Sequence, residues 1–157
     1  MYSKWKNYCV VFLCTGLLVS SGCSSSNPAG PSGNSSASAG NISVFVNPTP
    51  VPFDGKPVTD VAGCAQRPNT WYYELTLRET GGTSVTFTAQ VDAFDGFVVN
   101  DLKGINLEVP ANGEVKLNPR WCSATDSRHT AQHTFSGTDS NGNTVNLQTP
   151  VITLLGK

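Results

Sequence analysis

The chain is poor in charge, with Asp, Glu, Lys and Arg making up only 13% of its 157 residues. Long surface helices draw on such residues. Their scarcity, beside plentiful Ser, Thr, Asn and Gly, favours strands and turns. A basic surplus is lacking too: 10 Lys+Arg against 11 Asp+Glu leave no positive stripe to neutralise a phosphate backbone, which argues against a nucleic-acid partner. No apolar run reaches the roughly 20 residues of a membrane-crossing helix. There is no Cys-x-x-Cys pair for thiol redox chemistry, and no Gly-x-Ser-x-Gly surrounds Ser123 or Ser127 to mark a nucleophile elbow. A chain of this length has room for one domain of ordinary size.

What is present begins with an address. Lys4 and Lys6 precede the apolar run Cys9 to Val19, and Ser20-Ser21-Gly22-Cys23 follows. A positive start, a short apolar stretch and small residues before a cut are the marks of an export signal. These residues resemble the signal and lipobox of bacterial lipoproteins, with Ser20 where that family prefers Leu. The resemblance covers residues 1–23. It implies cleavage before Cys23, acylation of Cys23 and attachment to a membrane through palmitate-type chains. Ser24, in the family's sorting pattern, implies the outer membrane, with the domain facing the periplasm or the outside. More than one acyl chain is needed for stable anchoring, at about 0.8 kcal/mol per buried CH₂. Residues 23–40, rich in Ser, Gly, Asn and Pro, offer no large apolar side chain to bury and are expected to form a disordered tether.

From Asn41 the pattern alternates with period two, which places successive side chains on opposite faces of a strand. Trp71, Tyr73, Leu75 and Leu77 form one inward row, and Val85, Phe87, Ala89, Val91 and Ala93 another, with Gly81-Gly82 between them suited to a hairpin turn. Asp95-Gly96 marks the next reversal. Val115 and Leu117, then Ala131, His133 and Phe135, face inward on later strands, and Ser140-Asn141-Gly142 turns the chain toward Val145 and Leu147. Since Ile152 and Leu154 have the opposite parity, a bulge near Pro150 is expected to swap the inward face. Seven strands result, in an all-β antiparallel sandwich over 41–157. This architecture resembles the immunoglobulin-like and fibronectin type III group. The antibody hallmarks are missing, since Trp71 follows closely on Cys64 and Arg120 stands where a tyrosine corner would put Tyr.

Cys9 and Cys14 depart with the signal and Cys23 is taken by lipid, so Cys64 and Cys122 remain to pair in an oxidising compartment. Their pairing demands that 97–109 be one traverse, kinked at Gly104. Two short strands there would put the sulfurs at opposite ends of the sandwich, beyond the roughly 7 Å allowed between bridged Cα atoms. The disulfide then sits at the end remote from the tether, beside the long connections 58–70 and 122–128.

That end is expected to carry Arg67, Asn69, Phe94, Asp95, Asp126 and Arg128, a polar and aromatic set suited to binding an envelope protein or a glycan. Exposed Tyr72 or Phe94 would serve the glycan. His129 and His133 lie four apart, about 13 Å along a strand, too far to share one metal ion, and are expected to be structural. Asp139-Ser140-Asn141-Gly142-Asn143 echoes a calcium loop but lacks its closing Glu and fits a hairpin turn. Asp92 and Asp95 flank a turn and are expected to be solvated. Ser123 or Ser127 with Asp126 and His129 could assemble a hydrolytic cluster if a cleft surrounded them. No cofactor and no metal is implied, and a non-enzymatic binding or structural module is the expected function.

Overall fold

The computed structural model describes residues 35–157. Eleven strands run in chain order: β1 (Ser35–Ala39), β2 (Ile42–Asn47), β3 (Asn69–Tyr72), β4 (Glu74–Glu79), β5 (Val85–Phe94), β6 (Phe97–Val109), β7 (Glu114–Leu117), β8 (Arg120–Ser123), β9 (His129–Asp139), β10 (Thr144–Gln148) and β11 (Ile152–Leu154). A single 3-10 turn, Ala62–Cys64, is the only helical segment among the described residues. No helix there is long and apolar enough to cross a membrane.

The strands form two main antiparallel sheets, ordered β1-β2-β4-β7 and β10-β9-β5-β6, with β11 pairing β9 beyond the end of β10. β3 and β8 make a separate two-stranded ribbon. Between the sheets, Val44, Val46, Leu75 and Leu77 meet Phe87, Phe135, Leu147, Ile152 and Leu154, all out of contact with water. Each such aliphatic or aromatic side chain contributes about 1.5–3 kcal/mol by leaving water, before the cost of ordering it. The alternation of Trp71, Tyr73, Leu75 and Leu77 is therefore the core row that the period-two pattern indicates.

The structure departs from the expected seven strands in having eleven, with β3 and β8 split off as their own ribbon, and from the sequence expectations at four further places, each for a local reason. The first is Gly81-Gly82, which makes no hairpin: β4 and β5 belong to different sheets, and the turn carries the chain across the sandwich. Glu79 directs it. Its buried carboxylate accepts the backbone N–H groups of Gly81 (2.6 Å), Gly82 (3.0 Å), Thr83 (3.3 Å) and Asn112 (2.8 Å), so the turn wraps around an acid.

The second departure is in β5. Its pairing slips between Phe87 and Ala89 against both β6 and β9. Val85 and Phe87 are buried as expected, but beyond the bulge the inward position passes to Asp92, leaving Ala89, Val91 and Ala93 half-buried on the other face. Gly137 sits opposite Phe87, where a Cβ would lie 2.6 Å from the Phe87 Cα; the strands approach that closely only because glycine has none.

Third, Ser35–Ala39 belongs to a strand, although it falls in the segment read as a tether. β1 pairs with β2 through a turn at Gly40, where φ is +63°. Small side chains that bury little can still satisfy a backbone ladder at a sheet edge. The fourth departure follows from the third: Ser35 lies opposite Val46, next to last in β2, at the end of the sheet where β4 and β7 adjoin β3 and β8. The disulfide end is thus not the one remote from the point of entry.

Other expectations hold. Asp95 and Gly96, with φ of 50° and 80°, make the tight two-residue turn between β5 and β6. β6 is a single strand of 13 residues, irregular around Gly104 at φ +69°. Leu147 and Thr149 are buried before Pro150, and Ile152 and Leu154 after it, so the inward parity does swap there. The Cys64–Cys122 disulfide is present, with an S–S distance of 2.03 Å and Cα atoms 5.7 Å apart.

Candidate functional site

Two histidines on β9 organise one pole of the sandwich. They face inward beside Ala131 and Phe135, and a neutral or charged imidazole in a core must find hydrogen-bond partners. Each finds a carboxylate.

His133 is the deeper, only 2% exposed. Its Nδ1 lies 2.7 Å from Asp92 Oδ1 and its Nε2 lies 2.6 Å from Tyr73 Oη. Trp121 Nε1 donates to the same Tyr73 oxygen at 2.8 Å. With a neutral imidazole carrying its proton on Nδ1, Nδ1–H donates to Asp92, and the Tyr73 hydroxyl, which accepts from Trp121, donates to Nε2. Asp92 also accepts from Gln90 Nε2 (2.7 Å) and Asn100 Nδ2 (3.1 Å). Every member of this chain, Asp92–His133–Tyr73–Trp121, is satisfied. Burial alone would push the Asp92 carboxyl up, but the hydrogen bonds from His133, then Gln90 and Asn100, hold it below the usual carboxylate range. Burial pushes the Tyr73 hydroxyl well above its ordinary value, which keeps it protonated and donating. The expectation that Asp92 is solvated is corrected: it is 6% exposed, turned inward by the β5 bulge that period-two counting does not reveal.

His129 forms a second, shallower relay. Its Nδ1 lies 2.7 Å from Asp95 Oδ2, while Asp95 Oδ1 accepts the backbone N–H of Thr130 at 2.8 Å. Nε2 faces two hydroxyls, Thr125 Oγ1 at 3.1 Å and Ser127 Oγ at 3.5 Å. The imidazole ring packs at 4.8 Å from Phe94 and edge-on at 5.2 Å from Trp71. Asp95 replaces Asp126 as the partner of His129, so that part of the hydrolytic cluster is corrected. The backbone carbonyl of Asp126 instead accepts the N–H of Lys157, fastening the C-terminal tail. Ser123 reaches Thr125 at 3.2 Å and stays outside the reach of the imidazole. Asp95 is not simply solvated either. Burial raises its carboxyl, yet His129 and the Thr130 N–H outweigh this and hold it low.

Beside the deeper relay lies a groove of about 400 Å³ between β6 and the β7–β8 segment. Gln90, Asp92 and His133 form its floor, Val99 and Asn100 one wall, Trp121 and the disulfide the other, with Val61 and Arg67 at the rim. The loop before β3 is held over it by Arg120, which grips Asp60 with two hydrogen bonds of 2.8 and 2.9 Å. Of its lining residues Val99 is 50% exposed and Val61 43%, and on β6 Phe97 (76%) and Val98 (64%) precede Val99.

The six residues named as a recognition set divide accordingly. Arg67 and Phe94 line the groove. Asn69 donates to the Ser123 carbonyl and Arg128 to Thr153 Oγ1, so both fasten neighbouring strands. Asp95 belongs to the His129 relay, and Asp126 stands exposed on the loop. Phe94, half-buried, packs against both Trp121 (5.3 Å) and His129 (4.8 Å). Tyr72 is half-buried and its hydroxyl donates to the Lys56 carbonyl. Cys23 lies outside the described residues. Among those residues no group of three or more His, Cys, Asp and Glu is placed to hold a metal. Asp139 instead caps its own hairpin, accepting from the backbone of Asn141 and Asn143.

The relays make the fold sensitive to acid. The native carboxyls of Asp92 and Asp95 sit below their unfolded values, so the stability they contribute is complete above the unfolded pKa, about 3.9, and is lost as pH falls through the lower native values. A plot of urea midpoint against pH should be level from neutrality to about pH 5 and fall below pH 4. Asp92→Asn should flatten that fall; an unchanged slope would show that Asp92 is not held low.

No family model matches the chain, and no curated protein matches it. Solved structures do resemble it in fold. The structural-genomics target SoR45 aligns with a TM-score of 0.58 at 12% identity, over 76% of this chain and 90% of that one. The putative ApaA protein from Bordetella pertussis aligns with a TM-score of 0.53 at 11% identity, over 73% and 93%. At such identities the likeness is one of fold, so the chain shares with both an all-β antiparallel architecture.

Proposed function

We propose that this protein is a non-enzymatic lipoprotein of the cell envelope, most simply of the outer membrane, whose β-domain binds a partner protein in the groove between β6 and β8. The groove carries the reading: a polar floor fixed by a satisfied hydrogen-bond network, edged by exposed Val61 and Val99. Rigid polar groups supply specificity and the apolar rim supplies affinity. The domain itself is read as a fibronectin type III-like sandwich of seven traverses. Its sheet order, β2-β4-β7 against β10-β9-β5-β6, supports that assignment.

The anchor and the groove are tested separately. Cys23→Ala should move the exported protein from the membrane fraction to the soluble fraction, and continued retention would remove the lipid from the account. Affinity capture from detergent-solubilised envelope should recover one partner with the native chain, and lose it with the rim variants Val61→Glu and Arg67→Glu. Equal recovery by native and variant chains would exclude the groove, and retention on a glycan array instead would move the reading to a sugar ligand.

Hydrolysis is a second reading, favoured by the 2.7 Å and 3.1 Å contacts of the Asp95–His129–Thr125 relay, with Ser127 or Thr125 as the nucleophile. Both hydroxyls are exposed and lie outside the groove, which weighs against it. A fluorophosphonate probe should leave the native chain unlabelled; labelling abolished by His129→Ala would establish the hydrolase.

A further inference from the structure

β6 ends its sheet, and from Phe97 to Gly104 every residue on it is exposed. An exposed strand edge presents backbone N–H and C=O groups that another strand can pair with, and proteins ordinarily guard such edges with like charges or cover them. Here the edge carries one acid and one base two residues apart, Asp101 and Lys103, both well exposed and 2.7 Å from each other. Exposed Phe97, Val98 and Val99 flank them on one side and Leu102 lies between them.

We propose that β6 pairs antiparallel with β6 of a second copy, about a two-fold axis at Leu102. Two-fold contacts are isologous, so each residue meets its mirror position in the partner strand. Centred on Leu102, the pairing sets Asp101 opposite Lys103 of the second copy, and Lys103 opposite its Asp101. Two attractive pairs result from one sequence. A like-charged guard would repel its own copy; this pattern attracts it, which favours a second copy over an unrelated strand donor. The same register places Asn100 opposite Gly104, where a side chain would meet nothing within 4 Å, and brings Val99 to Ile105. Asn100 to Lys103 pair with β5 in unbroken register between two irregularities, so this is the straight part of the edge. Val99 and Asn100 also line the groove, so the pairing engages part of that wall, and the Leu102 cross-link below reads the pairing whether or not the groove takes a ligand.

The full exported chain carries the test. In an antiparallel pair, directly opposed Cα atoms lie about 4.5–5.5 Å apart, within the roughly 4.4–6.8 Å of a disulfide. Leu102→Cys should therefore give a covalent dimer on a non-reducing gel. Val98→Cys, whose two copies would lie about 27 Å apart along the strands, should not. In the Leu102→Cys background, Asp101→Lys alone or Lys103→Asp alone should cut the dimer band at least fivefold, and co-expressing the two should restore it. Absence of the Leu102 cross-link, an equal cross-link at Val98, or indifference to charge exchange would each overturn the pairing.

Discussion

His133→Ala should cost the fold about 3–5 kcal/mol, enough to lower the melting temperature of a domain this size by roughly 10–20 °C. The loss would come from what is left behind. Asp92 would keep its buried carboxylate without the Nδ1–H, and the Tyr73 hydroxyl would point at nothing. Orphaned buried groups lose their full solvation while gaining no partner, which costs more than a hydrogen bond is worth. Tyr73→Phe is the milder companion, stripping Trp121 Nε1 and His133 Nε2 of one shared partner for about 1–3 kcal/mol. Calorimetry at neutral pH would check both. A shift below about 1 kcal/mol for His133→Ala would mean that the relay does not form in solution.

Removing the disulfide should be felt nearly as much. The bridge closes a loop with a sequence separation of 58 residues, and in the chain-entropy model a closure of that length contributes about 4 kcal/mol. Against a typical stability of about 5–15 kcal/mol that is a large share. The double variant Cys64→Ser/Cys122→Ser should unfold at much lower urea, and reduction of the native protein should reproduce the shift. The loop from 58 to 68 is otherwise tied down by the Arg120–Asp60 pair. Exposed pairs of this kind are weak, so the groove wall formed by that loop should loosen before the core does. Faster hydrogen exchange confined to that loop and β8 would show it; uniform acceleration would place the bridge's role in the core instead.

Much of the architecture was legible because burial follows alternation. Trp71 to Leu77 and Ala131 to Phe135 form inward rows in sequence and in space. The single traverse of β6 followed from asking where two sulfurs can meet. Legibility failed wherever one residue broke the period. Counting through Thr88 assigns Ala93 inward and Asp92 outward, and a single bulge reverses both. The site suffered most, since its floor is that reversed stretch. A signal existed in His133: a histidine on an otherwise apolar row requires an acid, and Asp92 was the residue whose parity had to be wrong. Glu79 was legible in the same way. An acid continuing the inward row of Leu75 and Leu77 must be consumed by nearby backbone N–H groups, which forbids a simple hairpin after it.

The small hairpin that opens the described chain changes how the body would hang. Were residues 35–39 unpaired, the span from Cys23 to the first strand could stretch to about 60 Å, at 3.3–3.6 Å per residue. With β1 laid against β2, a leash from an acylated Cys23 would end at Ser35 and reach about 40 Å at most. An anchored domain would then sit nearer its bilayer, its reach cut by about a third.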